Sequence, residues 1–232
     1  MKPPQHIIFD LDHTLWDFDA NARDTLVSLV ADFRGYIGEE LDFEAFFQVY
    51  QGINQELWKL YRTNQVDITH VRTTRFVEAF GRFGIPKADW MDDFGKQYVA
   101  ICPTKGKVIA HAIETLDYLS AKNYRLQLIT NGIKAPQLIK LNSSGLAKYF
   151  DLVVTSDLAG AKKPDPRIFQ YTLDRLAIKQ PDQVVYIGDN YEADVMGGLE
   201  AGIPVIFFNP HRNENPLQVP EIERLSDLMA IF

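Results

Sequence analysis

Apolar positions change their spacing twice along this chain. His6-Ile7-Ile8-Phe9 is a short run with no polar alternation, which predicts a strand over residues 6–10 buried on both faces. From about Asp17 to Ala100 no stretch repeats with period two. Phe46, Tyr50, Ile53, Leu57 and Tyr61 recur instead at intervals of three and four, as one face of a long helix requires. Phe76, Phe80 and Phe83 repeat the pattern before Gly84-Ile85-Pro86, and Phe94, Tyr98 and Ile101 do so before Pro103. These aromatic stripes read as helix packing rather than as a ligand cage.

Beyond Pro103, helix and strand alternate. Val108, Ile109, Ile113, Leu116 and Leu119 mark a helix, followed by a strand at Arg125–Ile129, a helix at Lys134–Leu141 and a strand at Leu152–Val154. A helix at Arg167–Leu176, a strand at Val184–Ile187, a helix at Ala193–Glu200 and a strand at Pro204–Phe208 complete the series. His211–Pro220, rich in Asn and Pro, reads as a surface loop. Short β-rich runs separated by helices predict an α/β fold, a Rossmann-like parallel sheet covered by helices on both faces. The expected core is residues 1–16 with 101–232. An all-helical cap, residues 17–100, is inserted after the first strand, above the strand ends where open α/β sheets bind ligands.

Composition narrows the function. The chain has 232 residues, 46% hydrophobic and 24% charged, as expected of an ordinary globular protein. Lys and Arg number 24 against 31 Asp and Glu, a net charge of −7, which speaks against a broad nucleic-acid-binding face. Cys102 is the only cysteine, so an intrachain disulfide or a cysteine zinc site is excluded, and it reads as a small packed residue. No apolar stretch reaches membrane-spanning length, and Met1-Lys2-Pro3-Pro4 is not followed by the apolar core of a secretion signal. A cytoplasmic setting is the expectation.

Candidate chemistry collects at strand ends. Asp10 and Asp12 follow the first strand. If the extended geometry continues, their carboxylates point to the same side and repel unless a cation or a proton is shared. Alone, the pair could equally be an acidic turn facing water. Thr130-Asn131-Gly132 follows the second strand and precedes a helix, a seat for phosphate oxygens or a simple turn. Lys162-Lys163-Pro164-Asp165-Pro166 holds a lysine between stiffening prolines, where the alternative is a pair of solvated charges. Gly188-Asp189 ends the fourth strand, so Asp189 can reach a metal held by Asp10. Asp194 is a helix-start acid favoured by the dipole, or a neighbour of the metal, or a partner of Lys163. His13 falls on the opposite face and reads as a loop residue.

In this order the four segments resemble the haloacid dehalogenase superfamily, specifically its magnesium-dependent phosphatases with a helical C1-type cap. Tyr50-Gln51-Gly52-Ile53-Asn54, Leu57-Trp58 and Arg75-Phe76 are similar to the pyrimidine 5′-nucleotidase branch. The resemblance implies phosphomonoester hydrolysis through an aspartyl-phosphate, with Asp10 as nucleophile and Asp12 as general acid and base. It implies Mg²⁺ held by Asp10, Asp189 and the backbone carbonyl of Asp12. Lys163 would neutralise the phosphoryl oxygens, with Thr130 and Asn131 adding hydrogen bonds to them. Asp12 would need a raised pKa, which neighbouring anions would supply. An acid two residues after the nucleophile favours a phosphatase over a dehalogenase, because chloride leaves without a proton. The expected partner is a small phosphorylated metabolite, a nucleoside monophosphate first. Alternatives are a sugar or small-metabolite phosphatase such as one for phosphoglycolate, a 2-haloacid dehalogenase, or a non-catalytic binding protein that keeps the fold.

Overall fold

The computed structural model describes residues 4–232. Met1-Lys2-Pro3, part of the segment expected not to open a secretion signal, lies outside them. The chain divides into two units, the segment ending at Asp17 together with Gly106–Phe232, and Phe18–Lys105.

The first unit is built on six strands: β1 His6–Phe9, β2 Arg125–Thr130, β3 Leu152–Thr155, β4 Val184–Gly188, β5 Val205–Phe208 and β6 Glu221–Ile222. They form one sheet in the order β3-β2-β1-β4-β5-β6, with every pairing parallel. Parallel neighbours need crossovers, and helices Ala112–Ala121, Lys134–Ser143 and Pro166–Arg175 supply them. With helices flanking the sheet, β1 is buried beyond its first residue: Ile7, Ile8 and Phe9 have no exposed surface. The Pro166–Arg175 helix starts cleanly because Asp165 accepts the Arg167 N–H and Pro166 occupies the first helical position.

Three elements differ from the sequence expectation. Val108 and Ile109 precede the Ala112–Ala121 helix, because Val108 bridges to Trp16 and the Ile109 N–H donates to the Leu15 carbonyl at 2.9 Å. The segment expected as a helix at Ala193–Glu200 begins at Tyr191 as a π-helical turn, Tyr191–Met196, and continues as Gly197–Glu200. The Asn190 side chain caps this turn by accepting the Ala193 N–H, and the Val195 N–H reaches five residues back to the Asn190 carbonyl. Strand β6 has two residues, too short to carry a period.

The second unit contains helices Phe18–Asp32, Phe43–Arg62, Ile68–Gly81 and Trp90–Ile101, a short Arg34–Ile37 turn, and no strand among the described residues. Asp42 and Asp67 cap two of the helices by accepting N–H groups of the first turn. The aromatic stripes form its core. Phe46 stacks on Phe80 at 4.8 Å, Tyr50 on Phe76 at 5.6 Å, and Phe94 meets Phe80 edge-on at 5.2 Å. Each such pair adds about 0.5–1.5 kcal/mol beyond its burial. Polar groups converge in the same core: the Tyr50 and Tyr98 hydroxyls are 2.6 Å apart, and Arg75 lies over the Tyr98 ring at 4.4 Å. Arg75 reaches Asn54 only at 3.5 Å, and its buried Nε has no hydrogen-bond partner. Cys102 is buried, as a packed residue should be. No helix of the described residues is long and apolar enough to cross a membrane.

Candidate active site

Sheet register assembles the site. Phe9 pairs with Leu128 on one side and Ile187 on the other, and the Asp10 N–H continues the ladder to the Ile187 carbonyl at 2.9 Å. Three central strands therefore end level, delivering Asp10, Thr130 and Asp189 to one carboxyl edge. Gly188 makes room there, since a Cβ on it would collide with the Asp194 carboxylate.

Oxygens of Asp10, Asp189 and Asp194 all lie within 4.8 Å of one another. Lys163, 2% exposed, donates to Asp10 Oδ1 at 2.5 Å, to Asp194 Oδ1 at 2.6 Å and to the Tyr186 hydroxyl at 2.8 Å. Thr14 Oγ1 donates to Asp189 Oδ1 at 2.8 Å. Asp194 Oδ1 also accepts the Tyr186 hydroxyl, and its Oδ2 accepts the Asn190 N–H. Asp194 thus lies in the first turn of its helix, partners Lys163 and stands in the acidic cluster, so the readings open for it are compatible with one another.

Burial pushes the Asp10 carboxyl up to about 8; Lys163 opposes this, while Asp194 and Asp189 reinforce it. Asp189 rises to about 7, again by burial first and by Asp194 second. For Lys163, burial alone would lower the pKa, but Asp10 and Asp194 outweigh it and hold the ammonium protonated. Three ionised carboxylates against one ammonium would leave two negative charges in a buried space, which is costly unless a proton is retained or a cation enters. A small divalent ion with a preference for oxygen donors restores neutrality. The donor set therefore fits magnesium.

Asp12 departs from its expected surroundings. Beyond Asp10 the chain curls, and the N–H groups of Thr14, Leu15 and Trp16 all point at the Leu11 carbonyl, so strand alternation stops. The Asp12 carboxylate accepts from Lys140 Nζ at 2.6 Å and from Gln137 Nε2 at 2.9 Å. Burial would raise its pKa, but Lys140 and Gln137 outweigh burial and hold it below the usual value. The raised pKa expected from neighbouring anions is overturned, because the nearest charge is a cation. His13 is exposed in a left-handed turn with φ 66°, in keeping with a loop residue.

Thr130 is the last residue of β2. Its oxygen accepts from Gln137 Nε2 at 2.6 Å and from the Gly132 N–H at 3.1 Å, leaving its own proton to donate. Asn131 brackets the backbone of Lys163, donating to its carbonyl at 2.9 Å and accepting its N–H at 2.7 Å. Its side chain thus anchors the lysine. Gln137, Lys140 and Tyr186 stand outside the sequence motifs, while Thr14 closes the Asp10-Leu11-Asp12-His13-Thr14 motif with no role of its own assigned. Gln137 and Lys140 carry a signal in their spacing of three on the helix after Thr-Asn-Gly.

A family model described as haloacid dehalogenase-like hydrolase matches residues 4–202. The chain belongs to the haloacid dehalogenase-like hydrolases. It is 33% identical over 226 residues to pyrimidine 5′-nucleotidase PynA of Streptococcus pneumoniae, covering 96% of this chain and 92% of that one. It is 31% identical to pyrimidine 5′-nucleotidase YjjG of Escherichia coli, covering 90% and 88%. Among solved structures, the putative HAD-hydrolase YfnB of Bacillus subtilis, crystallised bound to magnesium, superposes with a TM-score of 0.88 at 28% identity over 99% of both chains.

Proposed function

We propose that this hydrolase is a magnesium-dependent phosphatase whose substrates are pyrimidine nucleoside 5′-monophosphates. The observation that carries the phosphatase reading is the contact of Lys163 with Asp10 inside the Asp10–Asp189–Asp194 cluster. A carboxylate nucleophile, an ammonium and a cation seat stand where a phosphoryl group can be attacked and its charge met. The nucleotide reading is supported by likeness to two proteins named as pyrimidine 5′-nucleotidases over nearly their whole length.

Asp10 attacks phosphorus in line, the bond to the leaving oxygen breaks, and an aspartyl-phosphate forms. Asp12 gives a proton to that oxygen; the approaching phosphate dianion opposes the ionisation that Lys140 otherwise favours. In the second displacement Asp12 takes a proton from water, the water oxygen attacks phosphorus, and Asp10 is regenerated. Thr130 donates its hydroxyl proton to a phosphoryl oxygen and Lys163 neutralises another, held in place by Asn131. Asp10 and Asp189, with the backbone carbonyl of Asp12, would hold the magnesium, and Asp194 stands beside these carboxylates. When bound, the ion supplies positive charge that offsets the carboxylates and the phosphoryl oxygens.

The test is release of inorganic phosphate from UMP, dTMP, purine monophosphates, phosphoglycolate and sugar phosphates, with magnesium and with chelator. Magnesium-dependent turnover led by UMP and dTMP is expected. Turnover of the other esters with UMP and dTMP idle would overturn the nucleotidase reading alone, whereas halide release without magnesium would overturn the phosphatase reading as well.

A further inference from the structure

Two side chains of one helix grip the Asp12 carboxylate. Lys140 Nζ holds Oδ1 and Gln137 Nε2 holds Oδ2, so both oxygens are fixed. Three residues apart on helix Lys134–Ser143, they project from the same face. Gln137 uses its amide nitrogen a second time, donating to Thr130 Oγ1 at 2.6 Å. One amide thus ties Asp12 to the hydroxyl at the end of β2.

The surroundings make the grip rigid. Gln137 is 1% exposed and Lys140 is 7% exposed. The Lys140 ammonium also lies 4.5 Å from the centre of the buried Trp16 ring, a second attraction that holds it in place. Gly132 leaves the space Gln137 occupies, since a Cβ there would overlap the glutamine side chain. The Gln137 Oε1 atom is buried with no hydrogen-bond partner. Turning the amide over would set that oxygen against the Asp12 carboxylate, which can only accept, so the orientation follows from Asp12. An orphaned buried acceptor is a cost to stability. A glutamine kept only for packing has no need to bear it.

We propose that Gln137 and Lys140 are positioning residues for proton transfer: they fix the Asp12 carboxylate and lock its orientation to that of Thr130. Neither touches the reacting atoms. The proposal rests on the reading of Asp12 as the group that protonates the leaving oxygen. A general acid works only within hydrogen-bond reach of its target, and a carboxylate free to rotate spends less time there.

The test compares kcat/KM, which reports events up to leaving-group departure, on two esters. p-Nitrophenolate leaves with little need of a proton, while the alkoxide of glycerol 1-phosphate needs one. Lys140→Met should lose at least about tenfold more on glycerol 1-phosphate than on p-nitrophenyl phosphate, part of the roughly 10²–10⁴-fold that acid–base catalysis supplies. Lys140→Arg, which keeps a cationic donor, should recover most of the difference. Gln137→Met should show the same discrimination and serves if Lys140→Met fails to fold. Equal losses on both esters, or none, overturn the proposal as a packing role. Asp12→Asn separates the two failures. If it discriminates between the esters and the clamp variants do not, the clamp alone is wrong; if it also fails to discriminate, the proton role falls and the clamp with it.

Discussion

Lys163 Nζ and Asp10 Oδ1 stand 2.5 Å apart although 153 residues separate them in sequence. The contact depends on where the lysine backbone is held, and Asn131 holds it from both sides. Asn131→Ala should therefore act at a distance from the chemistry. Two buried backbone groups lose their partners, each at a cost of about 1–3 kcal/mol. Urea unfolding should show that loss, and kcat on any accepted phosphate ester should fall as the ammonium loses its fixed direction. A variant as active as the parent would mean that the side-chain partners Asp10, Asp194 and Tyr186 place Lys163 without Asn131.

Asp10→Asn removes the attacking oxygen while keeping the shape of the side chain. Phosphate release from p-nitrophenyl phosphate should fall by at least about 10³-fold, as is usual when a nucleophile is deleted. Circular dichroism should be unchanged. Residual turnover near the parent rate would remove Asp10 from the nucleophile role.

Gly188→Ala tests the close approach at the end of β4. The added Cβ meets the Asp194 carboxylate, which is itself pinned by Lys163, Tyr186 and the Asn190 N–H. Overpacking of this kind costs about 1–3 kcal/mol. Moving Asp194 also disturbs the triad, so the magnesium concentration for half-maximal activity should rise. An unchanged magnesium requirement would separate Asp194 from the cation seat.

The strand-end residues were legible because a parallel sheet converts sequence order into position. Once β1, β2 and β4 are recognised as neighbouring parallel strands, Asp10, Thr130 and Asp189 must share an edge. Helix Lys134–Ser143 was not legible in the same way. Its apolar Leu138 and Ile139 are exposed at 39% and 42%, while Gln137 and Lys140 are buried, the reverse of what hydropathy suggests. Polar residues turn inward there because their partners, Asp12 and Thr130, come from distant segments that no local pattern reveals. The pKa of Asp12 was misread for the same reason, since its direction is set by a lysine 128 residues away.

Magnesium should stabilise the protein more as the pH rises. In the metal-free chain Asp10 is raised from 3.8 to about 8 and Asp189 from 3.8 to about 7. The folded state therefore binds these protons more tightly than the unfolded state does. Their contribution to stability is complete below about pH 3.8 and is lost as the pH climbs through 7 and 8. Asp12 has the opposite sign, but its transition lies below the usual carboxylate value and outside this window. A cation that binds only the ionised carboxylates removes the penalty and adds its own binding free energy to the folded state. The rise in Tm on adding magnesium to chelator-treated protein should accordingly be small at pH 5 and larger at pH 8, read by calorimetry at fixed ionic strength. Asp10→Asn carries no proton to lose at that position, so its metal-free form should lose less stability than the parent between pH 5 and pH 8. A magnesium effect that shrinks with pH, or one that Asp10→Asn leaves intact, would show that the ion does not sit among Asp10, Asp189 and Asp194.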